Sequence, residues 1–127
     1  VIGDVDLLCV GEGEGAITEL VASLRDHQPY QSIQNLWVKT DGDVIKNPMR
    51  PMITDLDALP FPCYGNDSYY FLESNSVRRR DPSLSEREIY VQASRGCPYS
   101  CTFCVSGQPD YNQLRSFDIA RVKEEIL

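Results

Sequence analysis

The sequence predicts an α/β fold made of two incomplete strand-then-helix units joined by a proline-rich linker. Three observations predict it. Near the start an apolar run is followed by a glycine turn and a stripe of helical period, near the end a second strand-then-helix pattern recurs, and prolines crowd the stretch between them.

Val5, Leu7, Leu8, Cys9 and Val10 form a nearly continuous apolar run, the pattern of a strand buried on both faces. The run stops at Gly11-Glu12-Gly13-Glu14-Gly15. Ile17, Leu20, Val21 and Leu24 then fall at i, i+3, i+4 and i+7, one face of an amphipathic helix that runs out near Asp26 to Pro29. Leu36, Trp37 and Val38, then Asp41-Gly42, then Val44 and Ile45 predict a hairpin, because Asp-Gly readily takes the positive φ that tight hairpin turns require.

From 47 to 86 the texture changes. Pro48, Pro51, Pro60, Pro62 and Pro82, with Gly65, Asn66 and Asp67, predict a linker draped over the surface, with a short strand at Tyr69 to Leu72 and a solvated basic run at Arg78-Arg79-Arg80. Ile89, Val91 and Ala93 then alternate with Tyr90, Gln92 and Ser94, which suits a strand. Ser116 is placed to cap a helix that carries Ile119, Val122 and Ile126 on one side, with Asp118 near its N-terminus. Between them runs Arg95 to Arg115, far longer than an ordinary strand-to-helix connection. A loop of that length needs a function or a ligand to offset the entropy of ordering it.

Composition narrows the partners. Twelve Lys and Arg against nineteen Asp and Glu give a net charge of −7, so nucleic acid and anionic membrane surfaces are disfavoured. The 42% hydrophobic and 24% charged content is that of an ordinary globular chain. No apolar run approaches the roughly 20 residues of a membrane span, and Val1 to Asp6 carries acids where a leader would be basic, so a cytoplasmic protein is expected. The missing initiator Met predicts an internal piece of something longer.

Of the five cysteines, Cys97, Cys101 and Cys104 lie in one short stretch, while Cys9 and Cys63 are scattered. An odd number without a secretory signal argues against a disulfide framework and for thiols engaged in metal or redox chemistry. The spacing is C-x3-C-x2-C. Thiolates are soft ligands for zinc or iron–sulfur centres, and three in one loop can converge on a single metal site. A closed zinc site wants a fourth ligand, which the distant His27 does not supply; Cys63 is the remaining candidate. Three thiolates on a four-iron cluster instead leave one iron open. Gly11-Glu12-Gly13-Glu14-Gly15 matches neither common phosphate-loop pattern, and two glutamates would repel a phosphate. Its glycines suit a tight turn and its acids suit a helix N-terminus.

Ala93-Ser94-Arg95-Gly96-Cys97-Pro98-Tyr99-Ser100-Cys101-Thr102-Phe103-Cys104, after a strand and before a helix, resembles the signature loop of radical S-adenosylmethionine (SAM) enzymes. The resemblance implies that Cys97, Cys101 and Cys104 ligate three irons of a [4Fe–4S] cluster and that the fourth iron chelates SAM. It implies that Phe103 lies by the adenine. The implied activity is reductive cleavage of SAM to a 5′-deoxyadenosyl radical, used for methylation, ring formation or other C–H functionalisation. An external electron donor of flavodoxin or ferredoxin type is implied with it. Gly96 lets backbone approach the cluster, Pro98 stiffens the loop, and Arg95 offsets anionic charge.

Asp4 to Glu14, the helix, the Asp-Gly hairpin and Leu56-Asp57-Ala58-Leu59-Pro60-Phe61-Pro62 are similar to the end of the cobalamin-binding domain and the linker of cobalamin-type radical SAM proteins. The implied organisation is the C-terminal part of a Rossmann-like cobalamin-binding-type domain (1–46), a Pro-rich linker (47–86) and the first strand-helix unit of a partial (β/α) barrel, the start of a radical SAM core (87–127). Cobalamin is thereby implied as a cofactor of the parent protein. The Asp-x-His-x-x-Gly cobalamin signature is absent, and His27 reads as a solvated helix-end residue. Because the core repeats its unit several times and one unit is present here, this polypeptide alone is expected to be inactive. Two rival functions are a structural zinc interaction module and an electron-transfer iron–sulfur protein with four protein ligands.

Overall fold

A computed structural model describes residues 4–63, 69–80, 91–104 and 113–126. The chain divides into two compact units, Val1–Ile53 and Thr54–Leu127.

In the first unit, β1 (Leu7–Cys9) leads into α1 (Glu14–Arg25), and β2 (Leu36–Lys39) and β3 (Val44–Lys46) form the expected Asp-Gly hairpin, with Gly42 at φ 105°. The sheet order is β1-β2-β3 and both pairings are antiparallel, with Leu7 opposite Val38 and Lys39 opposite Val44. Leu36 and Val38 point to one face, where Ala16 and Leu20 of α1, together with Ile33, close a small core. On the other strand face, the Lys46 ammonium sits 4.8 Å from the Trp37 ring centre.

Two expectations shift here. The strand read as buried on both faces has Leu7 and Leu8 half-buried and Cys9 exposed, because α1 covers one side of an antiparallel sheet. The helix also turns a different stripe inward: Ala16 and Leu20 are buried, whereas Ile17, Val21 and Leu24 are each more than half exposed. Small Ala16 permits close contact with the sheet, and Leu20 lies one turn later on the same line.

A buried amide joins the segments of this unit. Asn35 is 2% exposed and adopts φ 71°, a left-handed conformation that Asn tolerates better than most residues. Its side-chain amide donates to the Val10 carbonyl (2.6 Å), and its Oδ1 accepts from the Arg50 N–H (3.1 Å). Its backbone N–H donates to Pro48 O (3.0 Å), and its carbonyl accepts from Val10 N–H (2.8 Å). One residue thus joins the end of β1, the start of β2 and the strand exit after β3.

The helix ends in a Schellman arrangement. His27 N–H donates to Leu24 O (3.4 Å) and Gln28 N–H donates to Ser23 O (2.7 Å), with His27 at φ 52°. The helix-end reading of His27 holds, but its main chain makes the contacts. Nearby, the Arg50 side chain crosses the first turn of α1, pairs with Glu19 at 2.7 Å and lies where a Cβ on Gly15 would collide with its guanidinium.

In the second unit, β4 (Phe71–Glu73) and β5 (Ser76–Arg78) form a hairpin. Ser74 and Asn75 both have positive φ, 47° and 65°, as a two-residue type I′ turn requires. The expected short strand is therefore real but paired, and the basic run forms its exit: Arg80 contacts Glu73 at 3.1 Å and lies 5.6 Å from the Phe71 ring. The strand expected over 89–93 falls partly outside the described residues. The observed strand is β6 (Ser94–Arg95), antiparallel to β7 (Arg115–Ser116), with α2 (Ile119–Ile126) following.

Ser116 belongs to β7, so it does not cap α2; Asp118 does, its Oδ1 accepting Ala120 N–H at 2.7 Å. None of the residues of α2 is buried. The proline-rich stretch is not wholly draped over the surface, since Leu56 is 1% exposed. Among the described residues the sheets are small and antiparallel, and they form no closed barrel.

Two outcomes follow for stability. Asn35→Ala leaves a buried carbonyl and N–H unpaired and puts Ala at positive φ, which should cost about 2 to 4 kcal/mol in chemical denaturation. Asn35→Gly should cost less, because it keeps the turn and loses the side-chain bonds alone; equal midpoints for wild type and Asn35→Ala would remove Asn35 from this role. His27→Gly should stabilise by about 0.5 to 1 kcal/mol at unchanged m-value, and a lower midpoint would contradict the Schellman assignment.

Candidate metal centre

The cysteine loop begins immediately after β6. Gly96, at φ 85°, turns the chain out of the strand in a conformation that a side chain would strain. Cys97 and Cys104 are half-buried, Cys101 is exposed, and all three thiols are free. Cys104 N–H donates to Cys101 O (3.1 Å), closing the C-x2-C half of the motif into a tight turn. Phe103 is 91% exposed, so its ring face is open to a ligand. Residues 105–112 lie outside the described residues.

At the neck of the loop Ser94 pairs with Ser116 and Arg95 with Arg115. Two arginine residues thus stand opposite each other at the neck. Arg115 is 9% exposed, Arg95 donates from Nε to Gln92 Oε1 at 3.4 Å, and both residues make further interactions. Sequence reasoning singled out Arg95 and missed Arg115, because the pairing of β6 with β7 joins residues twenty apart.

The donor chemistry fits a thiophilic metal: three free thiols lie within one short stretch of chain. The structure puts them on one loop without gathering them. Among the described residues no group of three His, Cys, Asp or Glu side chains is positioned to hold a metal ion, and that includes any grouping with Cys63. Cys63 is exposed, and its carbonyl accepts from the Tyr69 hydroxyl.

The glycine–acid loop resolves into structural roles. Gly11 takes φ 91°, Gly13 precedes α1 and Glu14 lies in its first turn. The Glu12 carboxylate accepts Ile53 N–H at 2.6 Å. Partial desolvation by the neighbouring chain, reinforced by the negative charge of Glu14, raises the pKa of the otherwise exposed Cys9 thiol, and Arg50 opposes this more weakly. No helix among the described residues is long and apolar enough to cross a membrane.

The chain is similar to known proteins along most of its length. It is 32% identical over 122 residues to an uncharacterized methyltransferase of Pyrococcus horikoshii, covering 96% of this chain and 25% of that protein. It is 32% identical over 126 residues to the cobalamin-dependent radical SAM methyltransferase TokK of Streptomyces tokunonensis, covering 96% of this chain and 17% of that protein. An anaerobic magnesium-protoporphyrin IX monomethyl ester cyclase of Synechocystis is 26% identical over 100 residues, 79% of this chain and 18% of that protein. The chain thus spans a quarter or less of the length of each. No protein-family model matches it, and no solved structure matches it.

The raised Cys9 pKa sets an expectation for reactivity. A raised pKa lowers the thiolate fraction at any given pH, so Cys9 should alkylate with iodoacetamide more slowly in the native protein than in the urea-unfolded chain. Its native rate should climb as pH rises beyond the ordinary thiol range. Peptide-resolved mass spectrometry reads this, and equal native and unfolded rates at neutral pH would contradict it.

Proposed function

We propose, on the premise that the chain is a segment of the radical SAM superfamily, homologous to a cobalamin-dependent methyltransferase over 96% of its residues, that it belongs to an enzyme of methyltransferase or cyclase type. The observation that carries this reading is the C-x3-C-x2-C loop standing directly after β6 in a chain of that homology. Residues 1–46 are then the tail of a Rossmann-like cobalamin-binding-type domain, 47–86 a linker and 87–127 the start of a radical SAM core in a partial (β/α) barrel. The strand-then-helix order of β1 with α1 supports the first assignment, and the position of the loop after a strand supports the last. Cobalamin in the whole protein is supported by the cobalamin-dependent relative.

Cys97, Cys101 and Cys104 are the residues that would hold three irons of a [4Fe–4S] cluster. When bound, that cluster supplies one electron, at an iron without a protein ligand, for reductive cleavage of SAM. The chain contributes the setting. Gly96 turns the chain out of β6, the backbone bond from Cys104 to Cys101 closes the C-x2-C half, and Phe103 offers an open ring for the adenine. Arg95 and Arg115 bring positive charge to the neck, where a tris-thiolate site is anionic. The working partner is an external one-electron donor of flavodoxin or ferredoxin type, in the cytoplasm, and the reaction is a C–H functionalisation.

The test is anaerobic reconstitution of the whole protein with iron and sulfide. About four irons per chain are expected, together with a reduced-cluster EPR spectrum that changes when SAM is added. Cys101→Ala should abolish four-iron loading, and normal loading in that variant would show the ligands to be wrongly assigned. One tightly bound zinc without iron would establish a structural zinc module instead. A four-iron cluster indifferent to SAM would mark an electron-transfer protein.

A further inference from the structure

β6 and β7, which flank the cysteine motif, have two residues each, and an isolated pair that short does not stabilise itself. Phe117 N–H adds one backbone bond to Ala93 O at 3.0 Å. Further contacts at the exit of the loop come from the segment Leu56 to Phe61, about sixty residues earlier in the chain. Both carboxylate oxygens of Asp57 accept the Asp118 N–H, at 3.0 and 3.2 Å, and Asp118 in turn caps α2. Arg121 donates from Nη1 to the Asp57 carbonyl at 3.1 Å. Its guanidinium lies 4.1 Å from the Phe61 ring centre and 5.3 Å from that of Phe117. Leu56, 1% exposed, anchors the segment that presents these groups.

The carboxylate of Asp57 thus meets the positive end of α2 with a charge-assisted bond, while Arg121 couples the same residue to the aromatic side chain that follows β7. We infer that Asp57, Phe61 and Arg121 form a strap that positions the exit of the cysteine loop, and so govern how well the loop receives SAM once its metal is in place. This rests on the proposed function, since it takes Cys97, Cys101 and Cys104 as cluster ligands and Phe103 as the adenine neighbour. The three residues are positioning residues: they act on the loop through Phe117 and Asp118. The strap stands apart from the thiols in sequence and adds no ligand to the metal, so its loss should spare cluster loading and impair the response to SAM.

The experiment uses the whole protein, reconstituted anaerobically, with Asp57→Asn, Asp57→Glu and Arg121→Lys beside the unsubstituted enzyme. Iron content, the dissociation constant for SAM and the SAM-induced change in the reduced-cluster EPR spectrum are read on each. Asp57→Asn and Arg121→Lys should load iron like the unsubstituted protein and bind SAM about tenfold or more weakly, the scale on which outer supports of metal sites usually act. Their EPR response should shrink in step, and Asp57→Glu should recover part of it. Should Asp57→Asn fail to fold, Arg121→Lys, which keeps the charge and loses the planar stack, decides the matter. Unaltered SAM affinity and EPR response in the folded variants overturn the strap, and so does loss of iron in parallel with thermal stability, which marks a role in folding alone. An unsubstituted enzyme whose cluster ignores SAM overturns the proposed function itself, a separate result read in the same series.

Discussion

What the cysteine loop can do depends on how its two ends are held, and β6 and β7 supply only two residue pairs for that purpose. An isolated ladder of that length does not fold by itself, so the ends of the loop need other contacts to hold them. The constraint explains why so much chemistry gathers just past the loop. Asp118 caps its helix with its side chain while giving its own N–H to Asp57, and Arg121 bridges a carbonyl and two aromatic rings. A bond to an ionised acceptor is stronger than a neutral one, and a guanidinium stacked on aromatic faces keeps its charge at modest desolvation cost.

The first unit meets the same shortage in a different way. Its sheet has three short strands and its core is a handful of side chains, too few to order the connections by burial alone. Asn35 supplies the missing order with an amide that donates and accepts at once, and with a backbone conformation that few other residues accept. Both units therefore rely on one polar side chain that reaches across a long stretch of sequence. Asn35 is buried and would be costly unless satisfied, which its several partners achieve, whereas Asp57 makes its contacts at the surface.

The readable parts of this molecule were those whose cause is local. Asp41-Gly42 encodes its own turn, and the glycine–acid run ends one strand and opens one helix. Hydropathy period located α1 but put Ile17, Val21 and Leu24 inward, because the choice of stripe is made by the sheet and not by the helix. Asn35, Asp57 and Arg115 were not legible in that way. Their partners lie between ten and sixty-odd residues away, and nothing in an isolated Asn, Asp or Arg tells which distant carbonyl, N–H or strand it will meet. The hairpin at Ser74-Asn75 was half legible, since Asn suits positive φ but Ser does not advertise it.

Gly15 carries a consequence for sequence drift. It sits within a helix, where glycine is ordinarily a weakness, and its smallness is used by Arg50, whose backbone is fixed by Asn35 and whose guanidinium reaches over the helix to Glu19. Positions 15, 19, 35 and 50 are therefore not independent in any lineage. A larger residue at 15 requires the Arg50 guanidinium to swing aside, a small cost for the end of a flexible side chain, and that movement loosens its pairing with Glu19. Variation at these four sites should therefore be correlated even though they are far apart along the chain.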